Sequence, residues 1–182
     1  MSAFKLIPIT CVAVSLLTSC ASNLRSDSSA PTIKTGATTS DRAVGERIFS
    51  LINAERARAG KKPLRGNRDL NGLAQKQANN LAENAQNGEA NTIGSINRSQ
   101  YAFLRFNIEN VTELAASSAS GDTASTAVIQ WMSSSEHRRT LLDSWNYTGI
   151  GVSKGADGYT YVTMLVGVTT TGVPRSVTPI GW

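Results

Sequence analysis

The chain has 182 residues, a formal net charge of +5, two cysteines and a single histidine. One histidine and the single cysteine expected in the mature chain exclude a Cys/His zinc cluster, and there is no Gly-rich phosphate loop or G-x-S-x-G elbow. The charge excess is modest and mixed in sign, without a basic block interleaved with aromatics, which excludes nucleic acid as a partner. A mild attraction to anionic lipid or cell-wall polymer is compatible with it, and solubility explains it as well.

Residues 1–19 stand apart from the fold. Lys5 supplies a short positive start, and Leu6 to Leu17 is an uncharged apolar run. A spanning helix needs about 20 apolar residues, so this run reads as the core of a secretory signal peptide. It ends in Leu17-Thr18-Ser19-Cys20, which resembles the bacterial lipobox: a Leu and two small residues before an obligatory Cys. The resemblance implies a lipoprotein, acylated at Cys20 and held at the membrane outside the cytoplasm. Cys11 would leave with the signal peptide, so the mature chain would carry no disulfide and depend on its core. Ala21 follows the cysteine where Asp favours inner-membrane retention in Gram-negative cells, which points to the outer membrane in such a host. Residues 20–40, rich in Ser, Thr and Ala, read as a tether reaching about 25 Å.

The domain is expected over residues 41–168. Ser40 or Asp41 is placed to cap a first helix, in which Val44, Ile48, Leu51 and Ile52 recur at helical spacing and which Gly60 ends. A second helix starts near Asn67 to Asp69. It puts Leu70, Leu73, Ala74, Ala78 and Leu81 on one face and stops at Gly88. Residues 87–99 read as a polar loop, Tyr101 to Phe106 as a short apolar piece, and Ala115 to Ala124 as loop. Residues 123–133 form a further helix with Trp131 in the core, and Glu136 to Leu142 adds one or two turns. The period then changes to two. Residues 147–154 and 159–168 read as strands joined by a hairpin through Asp157-Gly158. Residues 169–182 are a tail without periodicity. Helices first and a hairpin last predict an α+β fold, with helices packed on a small antiparallel sheet.

Two polar spots lie beside apolar structure. Glu109-Asn110 sits between Ile108 and Val111, and Glu136-His137 follows Trp131. A carboxylate and an imidazole brought together can share a proton or hold a metal, because both present lone pairs near neutral pH. The alternatives are a solvated helix face around Glu136, His137, Arg138 and Arg139, and an exposed loop carboxylate at Glu109.

Four motifs bear on that choice. Leu51, Asn53, Arg56, Gly60, Pro63 and Leu64 match a pattern L-x-N-x-x-R-x-x-x-G-x-x-P-L. Glu109-Asn110 resembles a G-E-N motif, with Ile108 in place of its Gly. Trp131, Ser134, His137, Arg138, Leu141 and Leu142 follow W-x-x-S-P-G-H-R-x-x-I-L, and Tyr147 to Val152 follow Y-T-x-I-G-V. In this order they resemble the CAP superfamily of cysteine-rich secretory proteins, antigen 5 and pathogenesis-related proteins. The resemblance implies an α-β-α sandwich with a surface cleft formed by Glu109, Asn110, Glu136, His137, Asn146 and Thr148.

It also implies a divalent cation in that cleft, often zinc, with Glu109 and His137 as ligands. The chain departs from the pattern in three places. No His occurs over Asn87 to Asn91, Asn146 stands where an H-Y-T motif has His, and Glu136 replaces the Gly before His137. One imidazole with one or two carboxylates makes a weak zinc site, so a harder cation held by carboxylates, or no metal, is the expectation. The resemblance therefore favours a membrane-anchored module binding a lipid, glycan or envelope protein. A hydrolase using Glu109 and His137 as acid and base, and a scaffold without catalysis, stay open.

Overall fold

A computed structural model describes residues 39–87, 102, 106–119 and 121–168. The expected signal peptide, Cys20, the expected tether up to residue 38, the loop at 88–99 and residues 169–182 lie outside the described residues, whereas Thr39 and Ser40, expected in the tether, are helical.

The first helix, α1 (Thr39–Arg58), begins two residues before Asp41, so Ser40 and Asp41 lie within it rather than capping it. Ile48 and Ile52 are buried and Val44 and Leu51 partly so, as their spacing demands. The chain leaves the helix through Gly60, whose φ of 68° is cheap only without a Cβ. A two-residue strand, β1 (Arg65–Gly66), leads into α2 (Arg68–Asn87). Asn67 caps α2: its Oδ1 accepts from the backbone N–H groups of Asp69 and Leu70, at 2.9 and 3.0 Å.

Next comes β2 (Glu109–Ser118). It corrects the expectation of a loop from Ala115, because Ala115 to Ser118 pair with residues 163–160 across an antiparallel ladder. Ala and Ser have little intrinsic strand preference, and here the ladder to a neighbouring strand decides. Asp122 caps α3 (Thr123–Ser133), which ends at Ser134 in extended conformation. There the chain starts afresh as α4 (Ser135–Leu141), so the helix through Trp131 does not continue into His137. The strands β3 (Tyr147–Lys154) and β4 (Thr160–Val168) form the expected hairpin, with Gly158 at φ 87°.

The four strands run β1-β3-β4-β2. The sheet is mixed rather than purely antiparallel, because β1 pairs in parallel with β3. The antiparallel hairpin needed only local signals, whereas a two-residue strand carries no periodicity to read.

Side chains of the two sheet faces enter two separate cores. Leu114, Ile150, Val152, Val162, Met164 and Val166 pack with α1, α3 and α4 around Trp131. On the other face Leu165 and Tyr147 pack with Leu70, Leu73 and Ala74 of α2. This is the three-layer α-β-α arrangement. Trp131 is 1% exposed, and its Nε1 donates to the Ala115 carbonyl at 2.9 Å, pinning α3 to β2.

The second helix also protects an edge of the sheet. Beyond the short β1, the backbone of β3 has no strand neighbour on that side, and α2 supplies amide side chains instead. Asn71 Oδ1 accepts from the Ile150 N–H at 2.8 Å. Gln75 accepts from the Val152 N–H at 3.2 Å and donates to its carbonyl at 2.7 Å. The approach requires glycine, since a Cβ at Gly149 or Gly151 would lie 2.1 or 2.3 Å from α2 backbone atoms.

Candidate functional site

Glu109 is half-buried at the first position of β2, opposite Val168. The next pair is Val111 with Gly167, so β2 contains one residue more than β4 at this point. The extra residue is Asn110, exposed and at φ 46°. Asn is among the few residues other than Gly that enter this region readily. Asn107, at φ 55°, bends the approach in the same way.

This bulge decides where Glu109 points. In a regular strand Glu109 would share a face with Val111, which packs with the α2 core. One extra residue reverses the alternation. Glu109 is now opposite Val168, two positions from Val166, which packs with the α1, α3 and α4 core. The carboxylate therefore belongs to the sheet face covered by α4, the helix that carries His137.

His137 is half-buried in the first turn of α4. Its backbone N–H donates to Ser134 Oγ at 3.4 Å, so the Ser of the W-x-x-S motif positions the helix start. Glu136 beside it is exposed.

Asn146 is at the same end of the sheet. Its backbone N–H donates to the Gly167 carbonyl at 3.2 Å and its own carbonyl accepts from the Arg65 N–H at 3.0 Å. These bonds continue the strand pattern and place Asn146 on the face of Thr148 and Ile150. Its side-chain Oδ1 is buried and has no hydrogen-bond partner among the described residues. Thr148 is 0% exposed, and its hydroxyl donates to the Leu165 carbonyl at 2.8 Å. That side chain is occupied within the sheet. The structure thus places Glu109 and Asn146 at one end of one sheet face and His137 on a helix that helps to cover that face, leaves Asn110 and Glu136 at the surface, and buries Thr148.

As a metal centre the described donors are too few. Zinc takes four ligands, commonly three or four from protein. No group of three His, Cys, Asp or Glu side chains able to hold a metal occurs among the described residues.

The residue that organises this region was legible as a motif but not as a part. Arg56 is 1% exposed. Its Nε donates to the Lys62 carbonyl at 3.0 Å, Nη1 to the carbonyls of Leu141 and Asp143, and Nη2 to that of Trp145 at 3.3 Å. One side chain of α1 thereby holds the segment that runs from the end of α4 to Asn146. Burial lowers the Arg56 pKa from its ordinary value, and the Asp143 carboxylate opposes that shift. Asn53 acts alongside: its Nδ2 and Oδ1 clasp the carbonyl and N–H of Leu64, at 3.2 and 2.8 Å. The signal was present, since Arg56 continues the buried stripe of Ile48 and Ile52 at four-residue intervals. A cation on an apolar stripe must have built-in partners.

Comparison with known proteins agrees with this construction. The model of the cysteine-rich secretory protein (CAP) family matches residues 49–166, well over half of the chain. No curated protein matches it in sequence. Among solved structures, an outer surface protein of Borrelia burgdorferi superimposes with a TM-score of 0.60 at 20% identity, covering 74% of this chain and 97% of that one. An extracellular SCP-domain protein of Bacillus anthracis gives 0.56 at 20% identity, covering 72% of this chain and 44% of its own. A cysteine-rich secretory protein of Staphylococcus aureus gives 0.56 at 22% identity, covering 72% and 40%. At these identities the likeness is one of fold. The family match, and the Asn53, Arg56 and Ser134 anchors that give its motifs their physical meaning, show that this chain belongs to the CAP family of cysteine-rich secretory proteins.

Proposed function

We propose that the chain is a lipid-anchored CAP-domain protein of the cell envelope, facing outward, that binds a lipid, glycan or envelope protein through the Glu109, His137 and Asn146 face. The observation that supports this reading is the bulge at Asn110, which puts Glu109 on the sheet face that the His137 helix helps to cover. Bulges that re-aim a side chain recur beside functional sites. A buried Asn146 oxygen at the same end supports it, because a bound donor would satisfy that atom. The apolar leader and the Leu-Thr-Ser-Cys box support an anchor at Cys20. No helix among the described residues is long and apolar enough to cross a membrane. The extracellular and outer-surface relatives are consistent with an outward location. Glu109 and His137 by themselves give thin support for a hydrolase, which needs a nucleophile or a fuller metal set beside them.

Two experiments test this. Replacing Cys20 by Ala should move the protein from the membrane to the soluble fraction, and continued membrane association refutes the anchor. For the site, His137 is the only histidine, so its imidazole Cε1–H gives a single NMR signal that reports locally. Phospholipid micelles or soluble peptidoglycan fragments should shift that signal in the wild type and fail to do so in Glu109→Gln. An imidazole signal indifferent to both probes refutes the binding role of this face.

A further inference from the structure

The cations look scattered along the chain, yet the fold gathers them. Residues 55–69 and 136–143 hold eight basic and four acidic side chains, and so +4 of the chain's net +5. These segments are remote in sequence and adjacent in space. The Arg56 guanidinium reaches the Lys62 carbonyl and the carbonyls of Leu141, Asp143 and Trp145 at once. The Lys61-Lys62 turn therefore lies against the end of α4. Pairing of β1 with β3 adds Arg65, whose guanidinium sits 5.8 Å from the Tyr147 ring centre. Arg68 opens α2 three residues later.

The result is one basic edge made of Lys61, Lys62, Arg65, Arg68, Arg138 and Arg139, all exposed. Among the described residues none of the six forms an ion pair, whereas neighbouring Arg58 is paired with Glu55. Unpaired like charges held together repel one another, so the cluster works against folding. Their summed potential favours an anionic partner.

Position and composition narrow the partner. The edge lies at the C-terminal end of α1, a 20-residue helix and so about 30 Å long. The upstream segment joins at the opposite end. The exposed large hydrophobic residues among those described are Ile129 and Tyr159, and neither belongs to the edge. Among the described residues it therefore offers no apolar wedge to a bilayer. We propose that this edge docks an acidic polysaccharide, a linear chain bearing phosphate, sulfate or carboxylate groups. This edge adjoins the proposed binding face, since the Arg65 N–H donates to the Asn146 carbonyl and Arg138 follows His137, but none of its six cations belongs to that face and the inference stands without it.

The test uses the full chain in detergent with heparin as the polyanion, titrated calorimetrically over a salt series. Two triple variants each lower the net charge from +5 to +2. One removes the edge (Lys61→Gln, Lys62→Gln, Arg65→Gln), and the other removes exposed cations elsewhere (Arg42→Gln, Lys76→Gln, Lys154→Gln). The edge variant should lose about tenfold or more in heparin affinity at low salt and show a shallower salt slope, and the second variant less than about threefold. Equal losses would reduce the effect to net charge and overturn the proposal. So would absence of heparin binding, or phosphatidylglycerol-vesicle binding lost in the edge variant while heparin binding persists. Should the edge variant melt lower than the other, Lys61→Gln with Lys62→Gln, both in an exposed turn, decides the question alone.

Discussion

Arg56 makes the most demanding prediction. Replacing it by Ala leaves the carbonyls of Lys62, Leu141, Asp143 and Trp145 without their donor and opens a void among buried side chains. Hydrogen bonds to a charged group are worth about 1.5–3 kcal/mol each, so a naive sum over the four would be about 6–12 kcal/mol. The true cost is smaller. The four bonds share one cation and are not additive, removing the guanidinium also removes its desolvation cost, and the exposed backbone near Asp143 can turn to water. We expect a loss of about 3–5 kcal/mol, a large part of the ~5–15 kcal/mol that stabilises an ordinary domain. Urea unfolding followed by far-ultraviolet circular dichroism measures it. Arg56→Lys should recover less than half, because an ammonium is a compact charge that cannot span carbonyls spread over two segments. Arg56→Met, which keeps most of the volume, should cost nearly as much as Ala. A loss below about 1 kcal/mol for Ala, or full recovery by Met, would refute the view that carbonyl pairing holds the segment behind His137.

Three further outcomes follow from local geometry. Gly151→Ala places a Cβ 2.3 Å from the α2 backbone at Ala74, so α2 must move off β3 at a cost of about 3 kcal/mol or more, seen in thermal melting. The Asp122 pKa is lowered to about 2, chiefly by hydrogen bonds from the Ser125 hydroxyl and N–H and also by Arg47. Its folded pKa is below the unfolded value of about 3.9, so its contribution is complete above that value and lost as the pH falls toward the folded pKa. Asp122→Ala should therefore flatten the acid limb of the urea midpoint between those pH values, and an unchanged limb would contradict the assignment. The Tyr161 hydroxyl donates to Asp157 Oδ2 at 2.6 Å, which with the nearby negative charge raises its pKa to about 12. Ultraviolet titration should show one tyrosine ionising late in the wild type and at the ordinary tyrosine pH in Asp157→Asn.

What the residues disclose unaided is whatever depends on near neighbours. The stripe Val44-Ile48-Ile52 can bury itself only as a helix, and the alternation around Asp157-Gly158 only as a hairpin, so those elements were legible. The polar motifs were legible too, since Glu109-Asn110 and His137 stand out by residue type. Their relation was not. Ala115 to Ser118 form a strand only because β4 supplies a ladder, and β1 is too short to have a pattern. How the turns over Glu136 to Leu142 relate to the helix of Trp131 is decided at Ser134, where extended backbone and a hydroxyl cap start a new helix. Above all, Glu109 could have pointed to either face. A single residue of register reverses every side chain of a strand, and that residue is counted only when β2 is paired with β4. The same holds for Arg56. Its residue type announces a charge, but only the folded chain brings four carbonyls from two distant segments to meet it.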